Sequence, residues 1–414
     1  MTEIASRPAS ARDAIRVAEF RRLWIGQAIS QAGDGLTALA SLVLVTRLTG
    51  STRAVATLAI LLTVPQLLLG LHAGVLVDRW DRRRVMVLSD CIRGVLVLGL
   101  ITVTDRAHLP WFYALVFLQS AVGVFFEPAQ YAFVPNLVPG HLLLAANALT
   151  DTTRLVARIV GSAVAGLLLT LPPGPALAFG ADAVSFLLAA AFVASIPGRP
   201  REPRPAAAKA RMVEELGQGL RCLFGTRTLV GIALAFSISL LGVGAFNVLL
   251  VPFLMEGLRV GSWGVGVLRA VEIGGMVAGG ALVSAFATRL LPSSLVTNGL
   301  VTLGLSVAAL AFVSNAWLAA VPLVILGVSS VGLQIGASTS IQQLVPDALR
   351  ARVDSALQTL LTIALIVSMA GAGALGDAIG IRRVFVLAGV LTVVAGGIAR
   401  VILGSRDAGE TKAQ

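Results

Sequence analysis

The feature that most constrains this chain is a succession of apolar runs, each about as long as a bilayer is thick. Twelve can be marked, at 23–46, 54–77, 85–104, 111–126, 147–171, 176–196, 229–254, 263–287, 294–313, 317–341, 355–376 and 382–403. A hydrocarbon core about 30 Å thick takes on the order of 20 residues per helix. Lipid offers no partner to a free backbone group, so each run is expected to be a helix. The expected fold class is therefore all-α integral membrane, with twelve transmembrane helices. Composition agrees: 57% of the 414 residues are hydrophobic and 13% charged, against roughly 45–50% and about 25% in soluble domains. Mean hydropathy is +0.89, which excludes an ordinary soluble fold. The first 22 residues hold five arginines, and no small-residue cleavage site accompanies the first span, so no removable signal peptide is expected.

The net charge of +11 comes from 32 basic residues, nearly all arginine, against 21 acids. Basic loops resist translocation. With the N-terminus inside, 22 of the basic residues fall in cytoplasmic segments and six in external loops. The excess of positive charge is thus expected to mark the cytoplasmic face rather than a nucleic-acid surface, and an even span count returns the C-terminus to the cytoplasm. Trp24, Trp80, Trp111, Trp263 and Trp317 all fall near span ends, where amphipathic rings belong. Cys91 and Cys222 are far apart in sequence and suggest neither a disulfide nor a metal site.

The longest polar stretch, from Pro197 to Gly225, separates six spans from six. The expected organisation is a cytoplasmic tail (1–22), a six-helix bundle (23–196), a cytoplasmic linker (197–228), a second bundle (229–403) and a tail (404–414). A shift of 207 residues brings Leu137-Val138-Pro139 onto Leu344-Val345-Pro346 and Ala165-Gly166 onto Ala372-Gly373. This reads as a duplicated six-span unit, the parallel-repeat arrangement of transporters whose halves rock about a midplane site.

Between the second and third spans stands Gly74-Val75-Leu76-Val77-Asp78-Arg79-Trp80-Asp81-Arg82-Arg83-Arg84. It resembles the signature loop of the major facilitator superfamily, Gly-x-Leu-x-Asp-Arg-x-Gly-Arg-Arg, with Asp81 in place of the second glycine. The resemblance implies two six-helix bundles and a cytoplasmic gate formed by Gly74, Asp78, Arg79, Arg82 and Arg83. In that gate Asp78 would accept hydrogen bonds from the free N–H groups at the start of span eleven, and the arginines would pair with Glu127. The stretch from Phe125-Phe126-Glu127-Pro128 to Leu137-Val138-Pro139, with Gly33-Asp34-Gly35 and Asp182-Ala183-Val184-Ser185-Phe186, is similar to the exporter branch that contains the enterobactin exporter and the macrolide efflux pumps. Gly161-Ser162-Ala163-Val164-Ala165-Gly166 is a worn form of that superfamily's antiporter signature, and close helix packing by small residues accounts for it equally well.

Charges inside the spans single out candidates for function, because an isolated charge at the midplane costs roughly 2.5–3.5 kcal/mol. Asp34 lies near the middle of the first span, with Gln27 and Gln31 on the same helical face. It is either a proton carrier or a structural ion pair. Glu272 and Asp182 are the other proton-coupling candidates, Glu272 having Arg269 three residues away. Candidates for the cargo cavity are Gln27, Gln31, Gln119, Arg158, Asn247 and Gln334. Of these, Arg158 is also a candidate counter-ion to Asp34. The intramembrane bases Arg93, Arg154, Arg158 and Arg269 balance the acids Asp34, Asp90, Asp182 and Glu272, so the charge of the cargo is left open.

The three histidines are scattered, and no Gly-x-x-x-x-Gly-Lys-Ser/Thr loop is present. An enzyme, a resident metal, a cofactor and internal coupling to ATP are therefore not expected. The chain reads as a monomeric secondary transporter of a bacterial inner membrane, with a small amphipathic cargo, protons and the lipid bilayer as its partners. Export by proton antiport is the leading expectation, with uptake or facilitated diffusion as the alternative.

Overall fold

A computed structural model describes residues 10–197, 210–225, 227–286, 290–345 and 347–410. Most of the interbundle linker and Arg289, the lone arginine of the second half's matching loop, lie outside them. All regular structure among the described residues is helical. A short α1 (Ala11–Arg16) precedes α2 (Ala18–Thr49), α3 (Thr52–Val77), α4 (Arg82–Leu100), α5 (Leu109–Phe133), α6 (Leu143–Leu168) and α7 (Pro175–Ala194). After the linker come α8 (Ala210–Gly225), α9 (Arg227–Pro252), α10 (Ser262–Ala285), α11 (Pro292–Leu310), α12 (Ala320–Leu344), α13 (Asp347–Ile379) and α14 (Ile381–Glu410).

Ten of these are long and apolar enough to cross a membrane. Two more, α4 and α6, have spanning length and correspond to the third and fifth expected spans, but they carry charges that dilute their apolar character: Asp90 and Arg93 on α4, Asp151, Arg154 and Arg158 on α6. Several helices outrun their apolar stretch. Helix α13, for example, begins at Asp347, eight residues before the run at 355–376. A helix ends where capping or a breaker ends it, not where hydrophobicity does.

The chain groups by packing into two units, and the grouping does not follow the two sequence halves. Unit 1 takes Met1–Ala40 and Leu68–Ala207; unit 2 takes Ser41–Leu67 and Ala208–Gln414. The hairpin joining α2 to α3 belongs to unit 2, and its polar groups are bonded there. Asp377, near the end of α13, accepts from Thr52 N and Thr52 Oγ1 (both 2.7 Å) and from Ser51 Oγ (2.8 Å). This carboxylate, supplied by another helix, caps the start of α3. Thr52 Oγ1 also donates to the Gly373 carbonyl at 2.7 Å, and Arg47 donates to Ser262.

Within unit 1 one apolar core binds the helix ends nearest the N-terminus. Phe20, Leu23, Met86, Phe126, Ala129, Val134, Leu137, Val138 and Ile196 are all buried in it. Much of the 125–139 stretch therefore builds packing: Val134–Asn136 and Gly140–Leu142 form two short 3-10 turns that lead α5 into α6. Within unit 2, Leu223, Leu229, Ile341, Val353 and Leu357 hold α8 and α9 against α12 and α13. Gly219 lets α8 lie close to the Arg352 carbonyl, and Arg352 donates to Gln218 at 2.5 Å.

Candidate functional site

The polar interior of unit 1 is built around Gly33-Asp34-Gly35 on α2. The flanking glycines permit two close helix approaches. A Cβ on Gly33 would collide with Ser185 and Asp182 of α7, and a Cβ on Gly35 would stand 3.1 Å from the Cα of Gly161 on α6. Gly161 is in turn pressed against the Ala32 carbonyl. The small residues of the worn antiporter signature therefore set the α2–α6 distance, whatever else they do.

Asp34 is held between these contacts, and its ion-pair partner is Arg93 of α4, whose terminal nitrogen lies 2.6 Å from Asp34 Oδ1. Arg158, the counter-ion expected from sequence, is exposed on α6 and acts on Asp34 through space without a direct bond. The guanidinium of Arg93 also lies 4.2 Å above the Phe186 ring of α7, a cation–π contact. Gly123 on α5 leaves room beside it. Two further acids belong to the same cluster. Asp182 is fully buried and accepts from Ser185 Oγ at 3.1 Å. Asp90, one turn before Arg93, is fully buried, and neither of its oxygens has a hydrogen-bond partner.

Along α2, Gln27 and Gln31 line a small cleft with Trp24, Gln130, Thr153 and Arg154. Trp24 Nε1 donates to Thr153 Oγ1 at 2.8 Å, which fixes the indole as one wall. The Gln27 side-chain nitrogen is buried beside the cleft without a partner. Gln119 is buried on α5. In unit 2, Glu272 pairs with Arg269 at 2.9 Å, and Arg269 lies 5.6 Å from the Phe246 ring. Asn247 is half-buried on α9 and Gln334 is exposed on α12.

The signature loop departs from expectation in its contacts. Asp78 is well exposed and stands 3.8 Å from Arg82. The arginines do not pair with Glu127: Arg82 donates to the Ala132 carbonyl at 2.7 Å, and Arg83 donates to the carbonyls of Val193 and Ala194. They satisfy the last free carbonyls of α5 and α7, the role basic side chains commonly take at helix C-termini. Glu127 instead lies 3.4 Å from Arg154 on α6, which in turn leaves Asp151 exposed. Asp81, the departure from the signature glycine, is the N-cap of α4 and accepts from Arg84 N at 2.9 Å.

Sequence reasoning gave Asp90 and Arg93 no role. The signal was present, an acid and a base three residues apart in an apolar helix, the same signal that marked Arg269 and Glu272.

Membrane-length helices with buried charges facing one another suit a membrane transporter. The profile of the family described as Transmembrane secretion effector matches residues 9–412, and the chain belongs to that family, within the major facilitator superfamily. It is 25% identical over 383 residues to macrolide efflux protein A of Streptococcus pyogenes, covering 91% of this chain and 93% of that one. It is 27% identical over 397 residues to the multidrug efflux pump Tap of Mycobacterium bovis, covering 91% of each. A shorter match, 37% over 123 residues and 30% of each chain, joins it to the putative bacilysin exporter BacE of Bacillus subtilis. Among solved structures, the nucleoside transporter NupG superimposes with a TM-score of 0.74 at 14% identity, covering 93% of this chain and 99% of that one. A bacterial homologue of the iron transporter ferroportin does so with a TM-score of 0.74 at 16% identity, covering 94% and 98%. At such identities the structural likeness shows the fold alone. The chain is a multi-pass transporter of small molecules and not an enzyme.

Proposed function

We propose that this transporter exports a small amphipathic molecule, of the drug, antibiotic or siderophore-like kind, by alternating access coupled to inward proton movement. The single observation that carries the reading is the buried acid cluster of Asp34, Asp90 and Asp182 around Arg93 in unit 1 of a chain whose full-length relatives are efflux pumps. Acids inside a span are costly and belong to proton relays or ion pathways. One proton crossing about 100 mV yields roughly 2.3 kcal/mol, which can drive export. The cleft beside Gln27 and Gln31 has room for little more than a water-sized group, so it takes at most one polar atom of a cargo. The unpartnered Gln27 amide beside it suits a carbonyl, ester or ether oxygen. The transporter works as a monomer in the bacterial inner membrane, with both termini cytoplasmic.

The test is flux of labelled erythromycin in proteoliposomes of known orientation, with and without an imposed pH gradient. Accumulation against the macrolide's own gradient, abolished by a protonophore, is the expected result. Flux that only runs downhill would establish facilitated diffusion instead, and a parallel susceptibility comparison of cells with and without the gene checks the direction.

A further inference from the structure

The i,i+3 spacing of Asp90 and Arg93 occurs again in unit 2 as Arg269 and Glu272, and the two pairs behave differently. On α10 the neighbours bond to each other at 2.9 Å. On α4 they do not: Arg93 reaches across to Asp34 on α2, and Asp90 is left fully buried with both oxygens unpartnered. The Nε of Arg93 is also buried and unpartnered. The helix thus holds an unspent acceptor pair and an unspent donor one turn apart, a spacing at which side chains meet. A carboxylate charge in that place would be fully buried with no protein donor bonded to it, a costly state for an acid. The groups facing Asp90 are few. From α2 comes Asp34, from α7 Asp182 and from its own helix Arg93; α5 brings the Val122 carbonyl bonded by Ser89, Gly123 against the Arg93 guanidinium and one charge, Glu127. Arg158 and Glu127 act on the cluster through Asp34.

We propose that Asp90 is the site that holds the transported proton, and that Arg93 exchanges between two carboxylates according to whether the proton is there. With Asp90 neutral, Arg93 is bound to Asp34, the state described by the structure. When the proton leaves Asp90 for water, the new carboxylate takes Arg93, and Asp34 loses its partner. The bond between α2 and α4 is then replaced by one within α4, so a proton is converted into a change in how α2 is held. This proposal rests on the proton-coupled reading above and specifies its site, for which the sequence offers Asp34, Glu272 and Asp182.

Infrared difference spectroscopy on the purified full-length transporter reads the proposal without a cargo. A neutral carboxyl has a C=O stretch that a carboxylate lacks. The wild type at pH 7 should show such a band, and Asp90→Asn should remove it. The decisive variant is Asp34→Asn, which leaves Asp90 in place: Arg93, freed from α2, should turn to Asp90, and the Asp90 band should be lost at the same pH. A band that survives Asp90→Asn unchanged, or one indifferent to Asp34→Asn, overturns the proposal, and the second variant keeps it testable should the first fail to fold. Transport gives a separate readout. In the erythromycin vesicles, absence of pH-driven flux in the wild type would refute the antiport reading whatever the infrared band does. A driven wild type together with an equally driven Asp90→Asn would refute the assignment to Asp90.

Discussion

Arg93 meets three helices through one side chain: it grows from α4, bonds Asp34 of α2 and stacks on Phe186 of α7. Its side chain is 13% exposed and that of Asp34 26%, so removing the guanidinium leaves a largely buried carboxyl without compensation. Arg93→Ala should therefore cost roughly 3–5 kcal/mol, read as a lowered thermal unfolding temperature in detergent. Arg93→Lys keeps the charge but loses the planar stack, and its loss should be smaller. A fall no larger than that of an exposed control such as Arg84→Ala would show the pair to be energetically idle. At this scale the sequence exposed Asp34 directly, since an acid eleven residues into an apolar run has few explanations. It did not reveal which arginine answers it. Arg93 and Arg158 are chemically equal candidates along the chain, and only the packing of α4 beside α2 selects the first.

The signature loop and the glycines of α2 show how elements are fixed. Asp81, which stands where the signature has its second glycine, closes the first turn of α4. The arginines after it looked like ion-pair partners for Glu127, but they bond carbonyls at the ends of α5 and α7, because free helix-end carbonyls are acceptors that sequence patterns do not mark. Gly161 is a strict requirement of the α2–α6 contact. Gly161→Leu should destabilise by about 1–3 kcal/mol through overpacking, whereas Gly371→Ala, with open space around it, should stay within about 0.5 kcal/mol. Thermal unfolding of the two variants side by side decides this, and equal stabilities would remove the close-approach account. Asp377→Ala should cost about 0.5–2 kcal/mol for the lost cap of α3, checked as faster amide exchange confined to the residues after Ser51.

At the scale of the molecule, the charge asymmetry leads to an expectation about topology. In a background lacking Cys91 and Cys222, a cysteine placed at Ala207 should react with a membrane-permeant maleimide and not with an impermeant one in intact cells. Labelling by the impermeant reagent would reverse the assigned orientation. Twelve helices of spanning length were legible in the chain because lipid imposes a length and a polarity that any spanning segment must meet. The family resemblance was legible because it rests on contiguous residues. Long-range contacts were not legible: the sequence divides the chain at the linker and gives no sign that Ser41–Leu67 packs with residues of the second half. Among those contacts a carboxylate on α13 meets the start of α3, two groups more than 300 residues apart. The buried acids were visible one at a time, and their roles were not. The sequence by itself determined the solvent and the family, the first set by local composition and the second by contiguous motifs. Only the tertiary structure decided which charge answers which, because the energy of a buried charge depends on the groups that packing brings within a few ångströms of it.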